Sequence, residues 1–222
     1  MRFRNLFLAL AFVCFFGCRK ARDEAPAASR LPGPAGVDAA SRTPDLGLHD
    51  VLAPTEVVQG ASIYPLRVPL VDESNRKHGL DIFRGRVVLV SMFYTSCPHA
   101  CPTLISHLKQ IDESLSEQDR SQVRVLLISF DPENDTPSVM RKLSADRTID
   151  LTRWKLATTS EDHVREIAAV LGIKYRQSDG AFNHSSVITV LDREGKIAHR
   201  FDGLEDAHES IATTLRGLVS SP

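Results

Sequence analysis

The feature that most constrains this chain is an apolar segment followed directly by two closely spaced cysteines. Residues 87–94 form a nearly continuous apolar run, which is typical of a strand buried on both faces of a sheet. Cys97 and Cys101 come next, and the apolar positions that follow them recur at helical spacing to about residue 116. The sequence therefore predicts a central strand and a helix that begins at the cysteines.

Strands and helices alternate along the rest of the chain from about residue 49. A polar turn separates the predicted strands 66–71 and 79–83, which would form an N-terminal hairpin. The later predicted elements are a strand at 123–130, a helix at 137–144, a strand at 154–157, a helix after Ser160, a hairpin at 186–201 and a helix at 205–218. This order predicts an α/β protein with a thioredoxin-like fold, in which an N-terminal β-hairpin extends a central mixed sheet flanked by helices.

The first 48 residues differ in composition from the rest. Two arginines precede an apolar run that ends at Cys18, which predicts a signal peptide over residues 1–18, and its end is similar to a bacterial lipoprotein signal. The alternative is that Cys18 is only a small residue of a removed or anchoring segment. Residues 19–48, rich in proline, alanine and charge, predict a flexible tether. We expect residues 49–222 to be an exported domain, anchored to a membrane and facing the periplasm or another extracytoplasmic space.

The charge of the chain gives no indication of nucleic acid as a partner. The formal net charge is -1, with 27 basic and 28 acidic residues, and neither sign forms a long run. A nucleic-acid-binding domain normally carries a concentrated basic patch. Nucleic-acid binding is therefore excluded from the expected functions.

Cys97 and Cys101 are the two cysteines that remain once Cys14 and Cys18 are assigned to the signal. Residues four apart lie on one face of a helix, so both sulfurs can meet one ion or each other. We expect Cys97 at the helix start, with Pro98 in the first helical position, where the helix dipole favours a thiolate. A plain structural disulfide is also possible, but so small a loop would restrict the unfolded chain little.

His184 is the candidate for a third metal ligand. It precedes the predicted strand 186–191, where thiol–disulfide oxidoreductases of this fold carry a cis-proline, and residues 183–186 contain no proline. Two thiolates and one imidazole suit Cu(I), and they accept Cu(II) with an added ligand. Structural zinc normally has four protein ligands. A histidine before a strand is often only a hydrogen-bonded loop residue, so spacing alone leaves these alternatives open.

Three separated parts of the sequence resemble the Sco/SenC family, copper chaperones for assembly of the binuclear copper centre of cytochrome c oxidase. They are residues 93–102 (FYTSCPHACP), residues 128–137 (ISFDPENDTP), and His184 ahead of a strand that ends in DREG at 192–195. The resemblance covers roughly residues 65–218 and implies that Cys97, Cys101 and His184 bind copper, as Cu(I) or Cu(II). It also implies a metallochaperone that delivers copper to a cytochrome c oxidase subunit or to another copper protein.

Two other functions would use the same cysteines. In a thiol–disulfide oxidoreductase Cys97 would attack, Cys101 would resolve through a disulfide, and the cysteines of a client would be kept reduced. A peroxidase of the peroxiredoxin type is less well supported, because the Thr-x-x-Cys spacing is absent. His99 stands where the Sco/SenC family usually has an acidic residue. We expect it to face solvent, because it lies two residues from Cys97 on a different helix face.

The acidic residues after the strand at 123–130 have two interpretations. Asp131, Glu133 and Asp135 alternate like calcium ligands, but the glycine and terminal glutamate of a calcium loop are missing. We expect instead a loop in which Asp135 or Thr136 caps the next helix, while Asp131 could face the metal site. Met92 is predicted to be a core residue. The scattered histidines are predicted to lie on the surface: His49, His78, His107, His163, His199 and His208.

Overall fold

The structure is a computed structural model that describes residues 60–178, 181–204 and 207–221. The strands are β1 (Leu70–Asp72), β2 (Lys77–His78), β3 (Val87–Phe93), β4 (Val123–Ser129), β5 (Trp154–Thr158), β6 (Tyr175–Ser178), β7 (Ala181–His184), β8 (Val187–Leu191) and β9 (Ile197–Asp202). The helices are α1 (Ala100–Ser114), α2 (Glu117–Gln122), α3 (Pro137–Asp146), α4 (Glu161–Leu171) and α5 (His208–Ser220). A short 3-10 helix covers Leu80–Phe83.

Seven strands form one mixed sheet in the order β2-β1-β5-β4-β3-β8-β9. Strands β3, β4 and β5 are parallel, whereas β1, β8 and β9 each pair antiparallel with a neighbour. Every residue of β3 is buried, including Met92, as expected for a central strand. The predicted α/β class, with a central mixed sheet, flanking helices and an N-terminal hairpin, is confirmed.

Helix ends follow the expected capping chemistry. The Ser160 hydroxyl accepts the backbone N–H of His163 at the start of α4, and Gly172 ends that helix in the left-handed conformation at φ 67°. Thr136 caps α3 by accepting the N–H of Val139. Thr136, rather than Asp135, is therefore the capping residue of the helix that follows β4.

The N-terminal hairpin is tighter than the sequence predicts. The Asp72 carboxylate accepts the N–H groups of Ser74 and Arg76, both at 2.9 Å, and Asn75 adopts a positive φ of 61°. The chain consequently turns back at once, and the second strand is Lys77–His78 instead of residues 79–83. Leu80–Phe83 forms a 3-10 helix that buries its first and last side chains.

The predicted signal peptide (1–18) and tether (19–48) lie outside the described residues, as does His49, and they stay predictions. Within the described ranges, no helix is both long enough and apolar enough to cross a bilayer.

Candidate metal centre

The structure brings Cys97, Cys101 and His184 together. One donor atom from each residue lies within 4.8 Å of the donor atoms of the other two. Two metal–sulfur bonds of about 2.3 Å span at most roughly 4.6 Å, so small side-chain rotations are enough for the three donors to share one ion. Among the described residues, this is the one cluster of histidine, cysteine and acidic side chains with metal-binding spacing.

The two cysteines reach the cluster from different positions than the sequence predicts. Helix α1 begins at Ala100, so Cys97 lies in the turn before it and only Cys101 lies in the helix. The Cys97 sulfur accepts the N–H of Cys101 at 3.2 Å, and the Cys101 sulfur accepts the N–H of Tyr94 at 3.4 Å. The Cys97 sulfur accepts an N–H of the first helical turn and therefore acts as a capping group. Cys97 thus lies next to the helix N-terminus, as predicted, although it is not part of the helix.

The two thiols differ strongly in acidity. Burial alone would raise the pKa of Cys97, but hydrogen bonds from Cys101, from the backbone of His99 and from the Tyr94 side chain outweigh burial and hold this pKa below its ordinary value. Burial raises the pKa of the Cys101 thiol far above its ordinary value, and the nearby Cys97 and Asp135 add to the shift. Cys97 is therefore the more acidic thiol of the pair, and Cys101 would have to lose its proton to bind a metal.

Alkylation of the reduced, metal-free protein should consequently select Cys97. We expect iodoacetamide to modify Cys97 first, with a rate that rises with pH through a midpoint below the ordinary cysteine value, because the thiolate is the nucleophile. Peptide mass spectrometry of samples quenched across a pH series measures both sites separately, and a Cys101→Ser variant isolates the Cys97 profile. Equal rates at the two sites at neutral pH would contradict the assignment.

Asp135 braces the turn that carries Cys97. Its carboxylate is fully buried and accepts the backbone N–H of Thr95 at 3.0 Å, the Thr95 hydroxyl and the Ser129 hydroxyl. Burial raises the pKa of Asp135. Asp131 binds the side-chain amide of Asn134 at 2.9 Å. Asp131 and Asp135 therefore form hydrogen bonds that stabilise the loop and the neighbouring turn, and the acidic residues of this loop form no metal-binding group among the described residues.

His184 is presented by a hairpin that the sequence did not reveal. Strands β6 and β7 pair with each other, with Tyr175 opposite His184, so His184 ends a strand instead of lying in a loop. Nδ1 of His184 lies 3.2 Å from the Ser185 carbonyl oxygen, which can only accept. This contact favours the tautomer with the proton on Nδ1, which leaves the Nε2 lone pair for a metal. The imidazole is half-buried.

Other predicted residues have simpler roles. His99 is exposed and occupies the N-cap position of α1, but its side chain makes no capping hydrogen bond. It lies outside the three-residue cluster, as expected for a solvent-facing residue. Met92 is 2% exposed, so it is a core residue. His78 departs from the surface prediction: its ring packs edge-on against Phe83 and its Nε2 lies 3.7 Å from Asp72. It packs within the N-terminal region and lies outside the cluster.

Comparison with known proteins gives the family of the chain and supports its fold. A family model described as SCO1/SenC matches residues 66–220. The SCO1 protein homolog of Bacillus subtilis is 24% identical over 141 residues, which are 61% of this chain and 72% of that protein. The copper-bound structure of Bradyrhizobium japonicum ScoI has a TM-score of 0.59 at 21% identity, covering 72% of this chain and 99% of that one.

Another similar structure is that of BsSco, described as a member of the Sco family of cytochrome c oxidase assembly proteins with a disulfide switch. Its structure has a TM-score of 0.62 at 21% identity, covering 69% of this chain and 92% of that one. These likenesses confirm the thioredoxin-like fold. Because the family model spans well over half of the sequence, the chain belongs to the SCO1/SenC family.

Proposed function

We propose that this protein binds one copper ion through Cys97, Cys101 and His184 and transfers it to a partner protein, the copper centre of cytochrome c oxidase being the favoured destination. The observation that carries the proposal is the convergence of the three donor atoms within 4.8 Å. A similar structure, that of Bradyrhizobium japonicum ScoI, contains copper. Another, BsSco, is described as belonging to the cytochrome c oxidase assembly proteins.

The donor set fits copper. Two thiolates and one imidazole are soft to intermediate ligands, which Cu(I) accepts at low coordination number and Cu(II) accepts with one more ligand. Cys97 is 8% exposed and Cys101 is 3% exposed, so the sulfurs are shielded from bulk solvent. His184 is the most accessible of the three ligands. We therefore expect an incoming ligand of the partner to displace His184 first, while the two sulfurs still hold the ion.

The proposal includes an extracytoplasmic location. A lipoprotein-type signal over residues 1–18 would anchor the chain to a membrane, and the tether over residues 19–48 would let the folded domain reach a membrane-bound partner. The support for this part is the sequence pattern alone. Labelling with radioactive palmitate, compared between the wild type and Cys18→Ala, tests it directly.

A thiol–disulfide oxidoreductase is the second candidate function, and the unequal acidity of the two thiols favours it. Cys97, with a lowered pKa, would attack a client disulfide, and Cys101 would then displace the client thiol and close an internal disulfide. The client would leave reduced, and a cellular dithiol would have to regenerate the protein. Turnover of a disulfide substrate by copper-free protein that persists in His184→Ala would support this function.

Copper titration of the reduced protein without its signal tests the main proposal. We expect one copper per chain. His184→Ala should weaken Cu(II) binding by more than about a hundredfold, since removing a direct ligand costs more than losing an outer hydrogen-bond partner. Cu(I) binding should fall much less, because two thiolates suffice for Cu(I). Anaerobic competition with chromophoric chelators measures both affinities.

The matched control is His99→Ala. It removes an imidazole that lies two residues from each cysteine but is exposed and outside the cluster. Both copper affinities should stay at the wild-type value. If His184→Ala also leaves the Cu(II) affinity unchanged, His184 is not a ligand and the three-donor site is wrong.

A further inference from the structure

The hairpin that carries His184 is not part of the main sheet. In the described chain, β6 and β7 pair with each other and with no strand of the seven-stranded sheet. Pairing within the hairpin therefore does not set the distance between His184 and the cysteines. Ser185 and Ser186 connect His184 to β8, and the Ser186 carbonyl accepts the Gly203 N–H at 2.7 Å. Beyond this backbone connection, the position of the hairpin depends on side-chain packing, which is mainly aromatic.

Phe130 is the centre of these contacts. Its ring centroid lies 5.0 Å from that of Tyr175, 6.1 Å from that of Phe182 and 5.0 Å from the imidazole of His184. These three rings belong to both strands of the hairpin and to the ligand itself. Phe130 is 2% exposed, so its ring is enclosed by these neighbours and the core.

Phe130 is also rigidly attached to the part of the fold that carries the cysteines. It follows β4 directly, and its N–H donates to the Phe93 carbonyl at 2.7 Å, at the end of β3. The turn to Cys97 starts one residue after Phe93. Phe130 thus connects the end of the central strands to the hairpin, beside Tyr94, whose ring centroid lies 5.1 Å from that of Phe182.

We propose that Phe130 is a positioning residue, which holds the His184 imidazole at ligand distance from Cys97 and Cys101. The consequence for copper rests on the function proposed above, whereas the anchoring of the hairpin does not. Removing the ring leaves His184 with the Ser185 carbonyl contact and the edge-on contact from Tyr94 at 6.1 Å. Neither sulfur loses a hydrogen bond, so the change should affect the histidine ligand selectively.

Phe130→Leu tests the inference, because leucine keeps the site apolar but removes the aromatic ring. In the copper-free protein, hydrogen exchange by NMR should be about tenfold faster at the amides of residues 175–177 and 182–184, with α1 and β3 unchanged, because local opening is easier. The Cu(II) affinity should fall roughly 10- to 100-fold, as for loss of an outer-shell partner, and the Cu(I) affinity by less than about threefold.

The control is Phe83→Leu, the same substitution at a ring that is 4% exposed and packs on His78 in the N-terminal region. It should change neither the relative exchange of the hairpin amides nor the ratio of Cu(II) to Cu(I) affinity. The inference is overturned if Phe130→Leu matches this control in either measurement. If the wild type binds no copper, the proposed function fails, and the exchange data alone decide whether Phe130 anchors the hairpin.

Discussion

Replacing either Cys97 or Cys101 by serine should weaken Cu(I) binding by more than about a hundredfold, the largest loss that any single substitution at the site produces. Cu(I) is a soft ion that prefers thiolate, and a serine hydroxyl does not ionise near neutral pH. One sulfur and one imidazole would remain, which is a poor Cu(I) site. Anaerobic competition against a chromophoric Cu(I) chelator measures the loss, with circular dichroism to establish that each variant is folded.

Met92→Leu is the matched control for sulfur. Met92 lies in β3, five residues before Cys97, and is 2% exposed within the core. A thioether can bind copper, but that of Met92 lies in the core and outside the three-residue cluster. The substitution should therefore leave the Cu(I) affinity unchanged. Wild-type affinity in either cysteine variant would rule out a site that depends on both sulfurs, and a loss in Met92→Leu would assign copper to a different set of donors.

The parts of the fold that were predictable from sequence are those with strong periodicity or specific end signals. The apolar run at 87–94 could hardly be anything but a central strand. Ser160 and Gly172 bound α4 because each residue type has a specific capping role. Helix α2 was missed because its six residues are all polar or charged and bury no side chain. Such a segment has no periodic pattern to detect.

The sequence named the three residues that the structure brings together, but it did not predict how the backbone holds them. Spacing identified Cys97 and Cys101, yet it placed both on one helix, whereas the structure has a turn at Cys97 stabilised by backbone N–H donation to sulfur. A hydropathy pattern contains no information about hydrogen bonds to sulfur. The hairpin under His184 was missed for a related reason: Tyr-Arg-Gln-Ser and Ala-Phe-Asn-His are too short and too polar to read as strands.

The sequence did contain one indication of this hairpin packing, which is the group of aromatic residues in and near the three sequence blocks. Tyr94, Phe130, Tyr175 and Phe182 all lie within ten residues of a motif residue, and in the structure they form one cluster beside His184. Aromatic residues in a chain with only 6% of them are worth examining as a group. Their convergence depends on the sheet topology, which places the end of β4 beside the turn after β3.

Gly195→Ala should destabilise the folded domain by about 2–5 kcal/mol, for two separate reasons. Gly195 has a φ of 76°, a conformation that costs a residue with a Cβ roughly 1–2 kcal/mol. A Cβ built there would also lie 2.5 Å from Cδ2 of the Tyr64 ring, and overpacking of this kind costs about 1–3 kcal/mol. Tyr64 cannot yield easily, because it is 6% exposed and the Arg84 guanidinium lies 5.3 Å from its ring centroid.

Gly85→Ala separates the cost of backbone strain from the cost of the steric contact with Tyr64. Gly85 has a nearly identical φ of 80°, but a Cβ there would have no atom within 4 Å. Urea unfolding should therefore give a loss of roughly 1–2 kcal/mol for Gly85→Ala, from backbone strain alone. The additional loss in Gly195→Ala then measures the Tyr64 contact, and Tyr64→Leu in that background should recover part of it. Equal losses at the two glycines would mean that the tyrosine ring moves aside freely and does not lock the turn between β8 and β9.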